Sequence, residues 1–339
     1  MRAARLHEYG KPFSIDEVPD PEPGHGGVRV RIGGAGACHS DLHIWHGEVP
    51  LQEPLPATLG HENAGWVDAL GPGATGVEIG EPVVVFGGWG CGRCRFCLGG
   101  AEQLCNTFTW GGLGPPGGYA EYLVVPSVHH LVPIGDLDPV AAAPLTDAAL
   151  TPYRAVRKVD QQLGGGSSAL LIGAGGLGQM GLQLVKALTG ARAIVADVAA
   201  GKREQATALG ADVVVDPAAP DAVAAIRDAA GPDGAAVVLD FVGSDESLAL
   251  AAQCVGRGST VVLVGLAGGS TAFGFFAWPS EVVLTTSNWG SRNELEEVVA
   301  MARAGTIAVD VERAPLEQIN EVFARLERGE VRGRAVLVP

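Results

Sequence analysis

The stretch that decides the fold is Ala169–Leu182, which reads ALLIGAGGLGQMGL. An apolar run typical of a strand leads into Gly173, Gly175 and Gly178, and residues typical of a helix follow. Glycines at this spacing, between a strand and a helix, predict a turn whose backbone passes close to a phosphate group. The free N–H groups at the start of the helix favour the same ligand. The stretch therefore predicts a dinucleotide-binding unit.

The next predicted strand ends at Asp197, which lies 19 residues beyond Gly178. A carboxylate at this position accepts hydrogen bonds from the adenosine ribose and repels a 2′-phosphate. Lys202 follows closely and is expected to contact the same ribose. The sequence therefore predicts NAD rather than NADP as the dinucleotide.

Outward from this turn, strand-like runs alternate with Ala- and Leu-rich helical stretches across residues 148–288, the predicted NAD-binding domain. Six strands joined by helices make an α/β fold, a doubly wound parallel Rossmann sheet. The predicted strands are Ala169–Ile172, Ala193–Asp197, Val213–Asp216, Val237–Phe241, Thr260–Val264 and Val282–Thr286. Residues 1–147 instead contain short apolar runs separated by glycine and proline, which predict a β-rich domain. Residues 289–339, with one or two helices including Leu316–Arg328 and a terminal strand, are expected to return to it.

The bulk properties of the 339-residue chain exclude several classes of partner. A formal net charge of −15 argues against nucleic acid and against an anionic membrane surface. No signal-peptide-like run and no apolar stretch of about 20 residues is found in the sequence, so a cytoplasmic location without membrane contact is expected.

A lobe at residues 90–106 holds four of the six cysteines in the spacing C-x2-C-x2-C-x7-C. These residues are Cys91, Cys94, Cys97 and Cys105. Four thiolates at short spacings let one loop wrap a tetrahedral zinc ion, and such a closed site leaves no position for substrate. We interpret the lobe as a structural zinc site, with an iron–sulfur cluster or free cysteines as the alternatives.

A second constellation predicts a catalytic zinc site. Cys38 lies in the segment GACHSDLH and His61 in the segment LGHEN. A catalytic zinc takes three protein ligands and keeps one position exchangeable. Asp147 is the candidate third ligand, and Glu62 is expected to coordinate transiently; which of the two carboxylates is the resting ligand stays open.

The order of these features resembles that of the zinc-containing medium-chain alcohol dehydrogenases over essentially the whole chain. The resemblance includes GHE at 60–62, the four-cysteine lobe, the glycine turn and the terminal segment RGRAVLV at 332–338. The segment APLTDAALTPY at 143–153 is most similar to bacterial NAD-dependent secondary-alcohol dehydrogenases. The resemblance implies a chaperonin-10-like catalytic domain, an active site in the cleft beside the nucleotide domain, and a dimer or tetramer.

The resemblance also implies roles for individual residues. Cys38, His61 and Asp147 would ligate the catalytic zinc, although the best-known members have cysteine where this chain has Asp147. Asp41 would orient His61. Ser40 would bind the substrate oxygen and start a proton relay through the cofactor ribose to His43.

Cofactor and substrate contacts complete the candidate site. Thr151 would pack beside the nicotinamide and Arg334 would reach the pyrophosphate. The full set of candidate cofactor contacts is Thr151, Gly173, Gly175, Gly176, Leu177, Gly178, Asp197, Lys202, Val264, Leu266 and Arg334. Trp289 and Leu266, with Ser40, are expected to line a mainly apolar substrate pocket.

These features predict zinc-assisted oxidation of alcohols, chiefly secondary and apolar ones, with transfer of hydride to NAD, and the reverse reduction. A quinone or enone reductase is a weaker interpretation, because such relatives generally lack both zinc sites. A polyol or amino-alcohol dehydrogenase of the same family stays open as an alternative. A zinc-stabilised, NAD-sensing binding protein is the alternative outside enzymes, and it would need no proton relay.

Overall fold

The computed structural model describes residues 1–339, which form seventeen strands and ten α-helices. In chain order the strands are β1 (Arg2–Arg5), β2 (Ser14–Glu17), β3 (Val28–Gly36), β4 (Glu62–Leu70), β5 (Pro82–Val85), β6 (Gly88–Trp89), β7 (Thr109–Trp110), β8 (Tyr122–Val125), β9 (Leu131–Pro133), β10 (Ser168–Ile172), β11 (Arg192–Ala196), β12 (Val213–Val215), β13 (Ala235–Asp240), β14 (Val255–Leu263), β15 (Val283–Thr286), β16 (Val311–Pro315) and β17 (Arg334–Val338). The helices are α1 (His39–Trp45), α2 (Arg95–Leu98), α3 (Pro139–Ala142), α4 (Leu150–Arg157), α5 (Gly176–Leu188), α6 (Ala200–Ala208), α7 (Ala222–Ala230), α8 (Asp245–Cys254), α9 (Arg292–Arg303) and α10 (Ile319–Glu327).

The chain divides into two units. Met1–Leu150 and Gly290–Pro339 make the first unit, and Thr151–Trp289 makes the second. The sequence predicts divisions after residues 147 and 288, and the structure divides the chain after Leu150 and Trp289.

The second unit is built on a six-stranded sheet in the order β12-β11-β10-β13-β14-β15, with every neighbouring pair parallel. This is the doubly wound order, in which the direction of winding reverses between β10 and β13. Leu170, Ile194 and Val238 are fully buried in its core. Ligands of such sheets bind outside the carboxyl ends of the strands at the reversal, where the glycine turn lies.

The first unit is built on a seven-stranded sheet in the order β16-β17-β3-β4-β5-β9, with β8 also paired to β3. Strands β8 and β17 share one edge of β3: β8 pairs with residues 28–31 and β17 with residues 35–36. Val30, Leu123 and Leu337 belong to its hydrophobic core. The sheet is antiparallel apart from β16 and β17.

Two predicted elements begin at clearly different residues from the observed ones. The predicted helix Leu316–Arg328 is wrong at its start, because a 3-10 turn over Leu316–Gln318 precedes α10. The fifth strand of the parallel sheet begins at Val255 rather than Thr260 and carries an irregular register against β13. The α8 helix starts with a capping box of Ser244 and Ser247, residues that in sequence are typical of a turn.

None of the helices combines the length and apolar character needed to cross a lipid bilayer.

Candidate active site

Strands β3 and β4 place the first two predicted zinc ligands side by side. The strands pair antiparallel with Gly36 opposite Glu62, so the chain leaves β3 and enters β4 at the same end of the sheet. Cys38 caps the N-terminus of α1 just beyond β3, and His61 directly precedes β4. Both residues are buried, with 6% and 1% of their surface exposed. The strand register therefore brings the thiol and the imidazole to one place.

Asp147 completes a cluster of three possible metal ligands. It follows a 3-10 turn over Ala143–Thr146, and its Oδ2 atom lies 3.4 Å from Cys38 Sγ and 3.6 Å from His61 Nε2. Ordinary zinc bond lengths and tetrahedral angles separate sulfur from oxygen ligands by about 3.6 Å, and nitrogen from oxygen ligands by about 3.4 Å. The three donor atoms all lie within 4.8 Å of one another. The donor set and its spacing fit a zinc ion.

Asp41 fixes the orientation of His61. Its Oδ1 atom lies 3.2 Å from His61 Nδ1, and its Oδ2 atom accepts the backbone N–H of Cys38 at 2.9 Å. A carboxylate on one ring nitrogen directs the other toward the metal and fixes the tautomer of the ring. The predicted contact between Asp41 and His61 is confirmed.

Glu62 and Arg334 form a buried ion pair beside the three ligands. Arg334 Nη2 lies 2.9 Å from Glu62 Oε1 and 3.8 Å from Asp147 Oδ2, while Glu62 Oε1 also accepts the N–H of Ala148. Burial raises the pKa of Glu62, and the guanidinium of Arg334 opposes that rise. Transient coordination by Glu62 and a pyrophosphate contact by Arg334 stay predictions; the observed partners of both side chains lie within this cluster.

The predicted relay residues Ser40 and His43 both lie on α1. Ser40 Oγ is 3.3 Å from Nε2 of His61, the nitrogen that faces Asp147. His43 Nδ1 is 2.5 Å from Oε2 of Glu48, and 28% of the His43 side chain is exposed. The two ends of the proposed relay are thus at the ligand cluster and near the surface, and the step through a ribose stays a prediction.

The four-cysteine lobe gathers its sulfurs as a tetrahedral site requires. Cys97 Sγ lies 3.5 Å from Cys94 Sγ and 3.9 Å from Cys91 Sγ, against about 3.8 Å expected between thiolates on one zinc ion. The four sulfurs lie within 4.8 Å of one another. The backbone N–H of Cys91 donates to Cys105 Sγ and lowers the pKa of that thiol to about 6. This arrangement fits a structural zinc ion.

In the second unit, the glycine turn has the geometry that its sequence predicts. Gly173 has φ +90°, and a Cβ atom on Gly178 would lie 1.8 Å from the carbonyl oxygen of Gly173. A Cβ atom placed on Gly175, the N-cap of α5, would meet no residue beyond its chain neighbours within 4 Å. Gly176 and Leu177 form the first turn of α5, where backbone N–H groups are free to bind phosphate. The turn therefore leaves an open approach to the helix N-terminus.

Asp197 lies just beyond the carboxyl end of β11 and is buried. Its Oδ2 atom accepts the N–H of Ala174 in the glycine turn, and its Oδ1 atom accepts the N–H of Ala199 before α6. Lys202 lies half-buried in the first turn of α6. Asp197 therefore ties the phosphate-binding turn to the segment predicted to hold the ribose.

Replacement of Asp197 by glycine is expected to raise the ratio of kcat/KM for NADP to that for NAD by about 10-fold or more. The variant loses a charged acceptor for ribose hydroxyls and the repulsion of a 2′-phosphate, and a hydrogen bond to a charged group contributes about 1.5–3 kcal/mol. Steady-state kinetics with both dinucleotides give the ratio. Asp212→Gly is the matched control, because Asp212 accepts the N–H of Ala193 at the opposite end of β11. An unchanged ratio in Asp197→Gly would contradict the ribose contact.

The remaining candidate contacts belong to the second unit. Thr151 and Val264 are buried, whereas Leu266 is 64% exposed. Trp289 is buried and has φ +46°, an unusual conformation for a large side chain. The roles of Trp289 and Leu266 as substrate-pocket walls, and of Thr151 beside the nicotinamide, stay predictions.

Two residues of the site, Tyr119 and Glu48, have no role predicted from the sequence, and Trp110 is predicted there only as a residue of the core or of a pocket wall. Tyr119 donates a hydrogen bond to Asp41, Trp110 packs its ring 4.9 Å from the His61 ring, and Glu48 contacts His43. Only Glu48 carries a local signal, five residues beyond its partner. The other two are distant in sequence, and only the folded sheet shows their position.

Family models match both halves of the chain. The model described as alcohol dehydrogenase GroES-like domain matches residues 24–136, and the model described as zinc-binding dehydrogenase matches residues 176–304.

Relatives match over the full length. An NAD-dependent alcohol dehydrogenase of Sulfurisphaera tokodaii is 36% identical, with all of both chains covered. A D-arabinose 1-dehydrogenase (NADP(+)) of Saccharolobus solfataricus is 36% identical, with 100% of this chain and 97% of the relative covered. The crystal structure of an alcohol dehydrogenase from Aeropyrum pernix has a TM-score of 0.94 and 40% identity, and all of both chains is covered.

The chain belongs to the zinc-dependent medium-chain alcohol dehydrogenase family. Membership confirms the predicted fold, a GroES-like (chaperonin-10-like) domain with a Rossmann domain, and the predicted class of enzyme, an NAD-linked dehydrogenase. The two clusters of metal-binding residues, with this membership, support two zinc sites per chain, one catalytic and one structural.

Proposed function

We propose that the chain oxidises alcohols with NAD, chiefly secondary and apolar alcohols, to ketones or aldehydes and catalyses the reverse reduction. The observation that carries the proposal is the buried cluster of Cys38, His61 and Asp147, whose donor atoms lie within 4.8 Å of one another. Ser40 lies beside it, with Oγ 3.3 Å from His61 Nε2. An NAD sensor would need neither an open metal position nor a hydroxyl next to it.

When bound, zinc supplies a Lewis acid for the substrate oxygen, and NAD supplies the hydride acceptor. Ser40 would accept the proton of the substrate hydroxyl and at the same time release its own hydroxyl proton into the predicted relay, so the serine stays neutral. His43 would take up the relayed proton and return it to solvent, and Glu48 holds the imidazole through Nδ1. In the reverse direction the same residues deliver a proton to the carbonyl oxygen. Asp41 keeps His61 in place throughout.

An apolar surface beside the ligands supports the substrate class. The indole of Trp110 lies edge-on to the His61 ring, with the ring centroids 4.9 Å apart. Trp110 packs on a hydrophobic cluster that includes Trp89 and Leu113. An aromatic wall of this kind favours an alkyl or aryl substituent over a hydroxylated one. A polyol or sugar substrate is the second candidate, and the name of the D-arabinose relative favours it.

The test is NADH formation from 2-propanol and 1-phenylethanol, compared with D-arabinose and sorbitol, each with NAD and with NADP. We expect steady turnover of the first pair with NAD and at least about 10-fold lower kcat/KM for the hydroxylated pair, the effect of losing about 1.4 kcal/mol of apolar burial. Preference for the sugars would favour the second candidate. No turnover by a zinc-loaded, NAD-binding protein would favour a sensor.

We also propose that the chain forms a homo-oligomer, a dimer or tetramer, through the second unit. Strand β15 lies at one end of the parallel sheet, so its outer edge is available to pair with a second copy. Phe275 and Phe276 in the same unit are 85% and 95% exposed, which supports an apolar contact between subunits. The molar mass in solution tests this assembly.

A cytoplasmic location is our proposal for the compartment. Metal ligation by the four cysteines requires reduced thiols, and none of the six cysteines forms a disulfide. A reducing compartment preserves such thiols.

A further inference from the structure

We infer that Tyr119 is a positioning residue of the active site, which holds the Asp41 carboxylate so that Asp41 keeps the imidazole of His61 directed at the metal position. The inference rests on the proposed function, because His61 needs this orientation only as a ligand. The hydrogen-bond partners of the Tyr119 hydroxyl are the carbonyl oxygen of Gly36 and the carboxylate of Asp41, and neither is a candidate zinc ligand.

The hydrogen bonds of Asp41 fix the plane of its carboxylate. Asp41 is completely buried, and its Oδ2 atom accepts both the Tyr119 hydroxyl at 2.8 Å and the N–H of Cys38 at 2.9 Å. Its Oδ1 atom is thereby left to face Nδ1 of His61 at 3.2 Å. A buried carboxylate needs several donors, and these donors fix its plane. The rotation of Asp41, and with it the imidazole, therefore depends on the phenol.

The Tyr119 ring packs against the backbone segment that precedes His61. A Cβ atom on Gly60 would lie 2.6 Å from the Tyr119 ring, and Gly60 has φ +99°. The ring thus lies directly on the backbone before His61, in a space that only glycine leaves open. The Tyr119 hydroxyl also lies 3.1 Å from the carbonyl oxygen of Gly36, at the end of β3.

One side chain therefore contacts all three segments that present the Cys38–His61 pair: the end of β3, the first turn of α1 and the turn before β4. Burial raises the pKa of Tyr119 well above its ordinary value, so the hydroxyl keeps its proton and stays a donor. A phenylalanine would fill the same space and leave the ring contacts intact. What it would remove is the donor to Asp41.

The experiment measures zinc release from the purified holoenzyme of Tyr119→Phe on addition of a chelator. Loss of the residues that orient metal ligands weakens metal affinity by about 10–100-fold, and Tyr119 acts one bond further out, so we expect about 10-fold faster release of one zinc ion. The second zinc ion should leave at the wild-type rate. We also expect kcat to fall several-fold, with KM for NAD unchanged.

Tyr122→Phe is the matched control, because Tyr122 lies three residues further on and stacks with Arg29 instead of the site. It should release both zinc ions at wild-type rates. The background Asp41→Asn supplies a second test: if Tyr119 acts through Asp41, adding Tyr119→Phe should change zinc release by less than about 2-fold. This comparison also separates positioning from a loss of fold, because a purely structural role would add to the effect of Asp41→Asn.

Release of both zinc ions from Tyr119→Phe at the wild-type rate would overturn the inference. Full additivity of the effects of Tyr119→Phe and Asp41→Asn on the rate of zinc release would also overturn it. A wild-type chain that binds zinc without any dehydrogenase turnover would instead overturn the proposed function. The two failures are distinguishable, because the first concerns the variant and the second the unmodified enzyme.

Discussion

Cys38→Ser is expected to lower kcat by about 1000-fold or more while leaving NAD binding within about 2-fold of wild type. A zinc Lewis acid stabilises developing charge on the substrate oxygen by several kcal/mol, and each 1.36 kcal/mol corresponds to a factor of ten in rate. NAD binding should survive because the glycine turn and Asp197 lie in the second unit. Steady-state kinetics and a titration of NAD by fluorescence or calorimetry give the two quantities.

Cys254→Ser is the matched control for this substitution. Cys254 is also buried, lies at the C-terminus of α8, and belongs to neither cluster of metal-binding residues. It is expected to cost stability through loss of core packing but to retain kcat. Undiminished turnover by Cys38→Ser would contradict the zinc mechanism.

Asp147→Ala is expected to remove the catalytic zinc and lower kcat to a similar extent, whereas Asp147→Cys is expected to keep the metal. Asp147 Oδ2 lies close to both other ligands, at 3.4 Å from Cys38 Sγ and 3.6 Å from His61 Nε2. Cysteine at this position restores the ligand that the family's best-known members use, and thiolate is a good zinc ligand. Zinc content and kcat of both variants form the test.

Substitution of Glu62 is expected to affect the zinc content differently from substitution of Asp147. It is paired with Arg334 at 2.9 Å, so we expect Glu62→Gln to retain its zinc. Loss of zinc from Glu62→Gln together with retention in Asp147→Ala would show that Glu62, rather than Asp147, is the resting ligand.

The parts of this structure that could be predicted from the sequence are those whose residues lie close together along the chain. The strand, the glycine turn and the helix at Ala169–Leu182 follow one another directly, and their order dictates a parallel sheet with a phosphate-binding end. The four cysteines are likewise confined to one loop, so their spacing alone indicates a closed metal site.

Contacts between distant residues were not predictable in the same way. The Tyr119–Asp41 bond spans 78 residues, and Arg334 meets Glu62 only because β17 pairs with the end of β3. A sequence pattern records the periodicity of one strand but not the register between two strands. Family resemblance pointed Arg334 toward a phosphate, whereas strand pairing revealed its ion pair with Glu62.

The most direct test of the two zinc sites is the zinc content of the purified full-length chain, determined by mass spectrometry of the dissolved metal. The two ligand clusters predict two zinc ions per chain and, in Cys38→Ser, one. Two zinc ions in the wild type and one in the variant would place a zinc ion at the Cys38–His61–Asp147 cluster. A single zinc ion in the wild type, or two in Cys38→Ser, would contradict the claim that these residues form a catalytic metal centre.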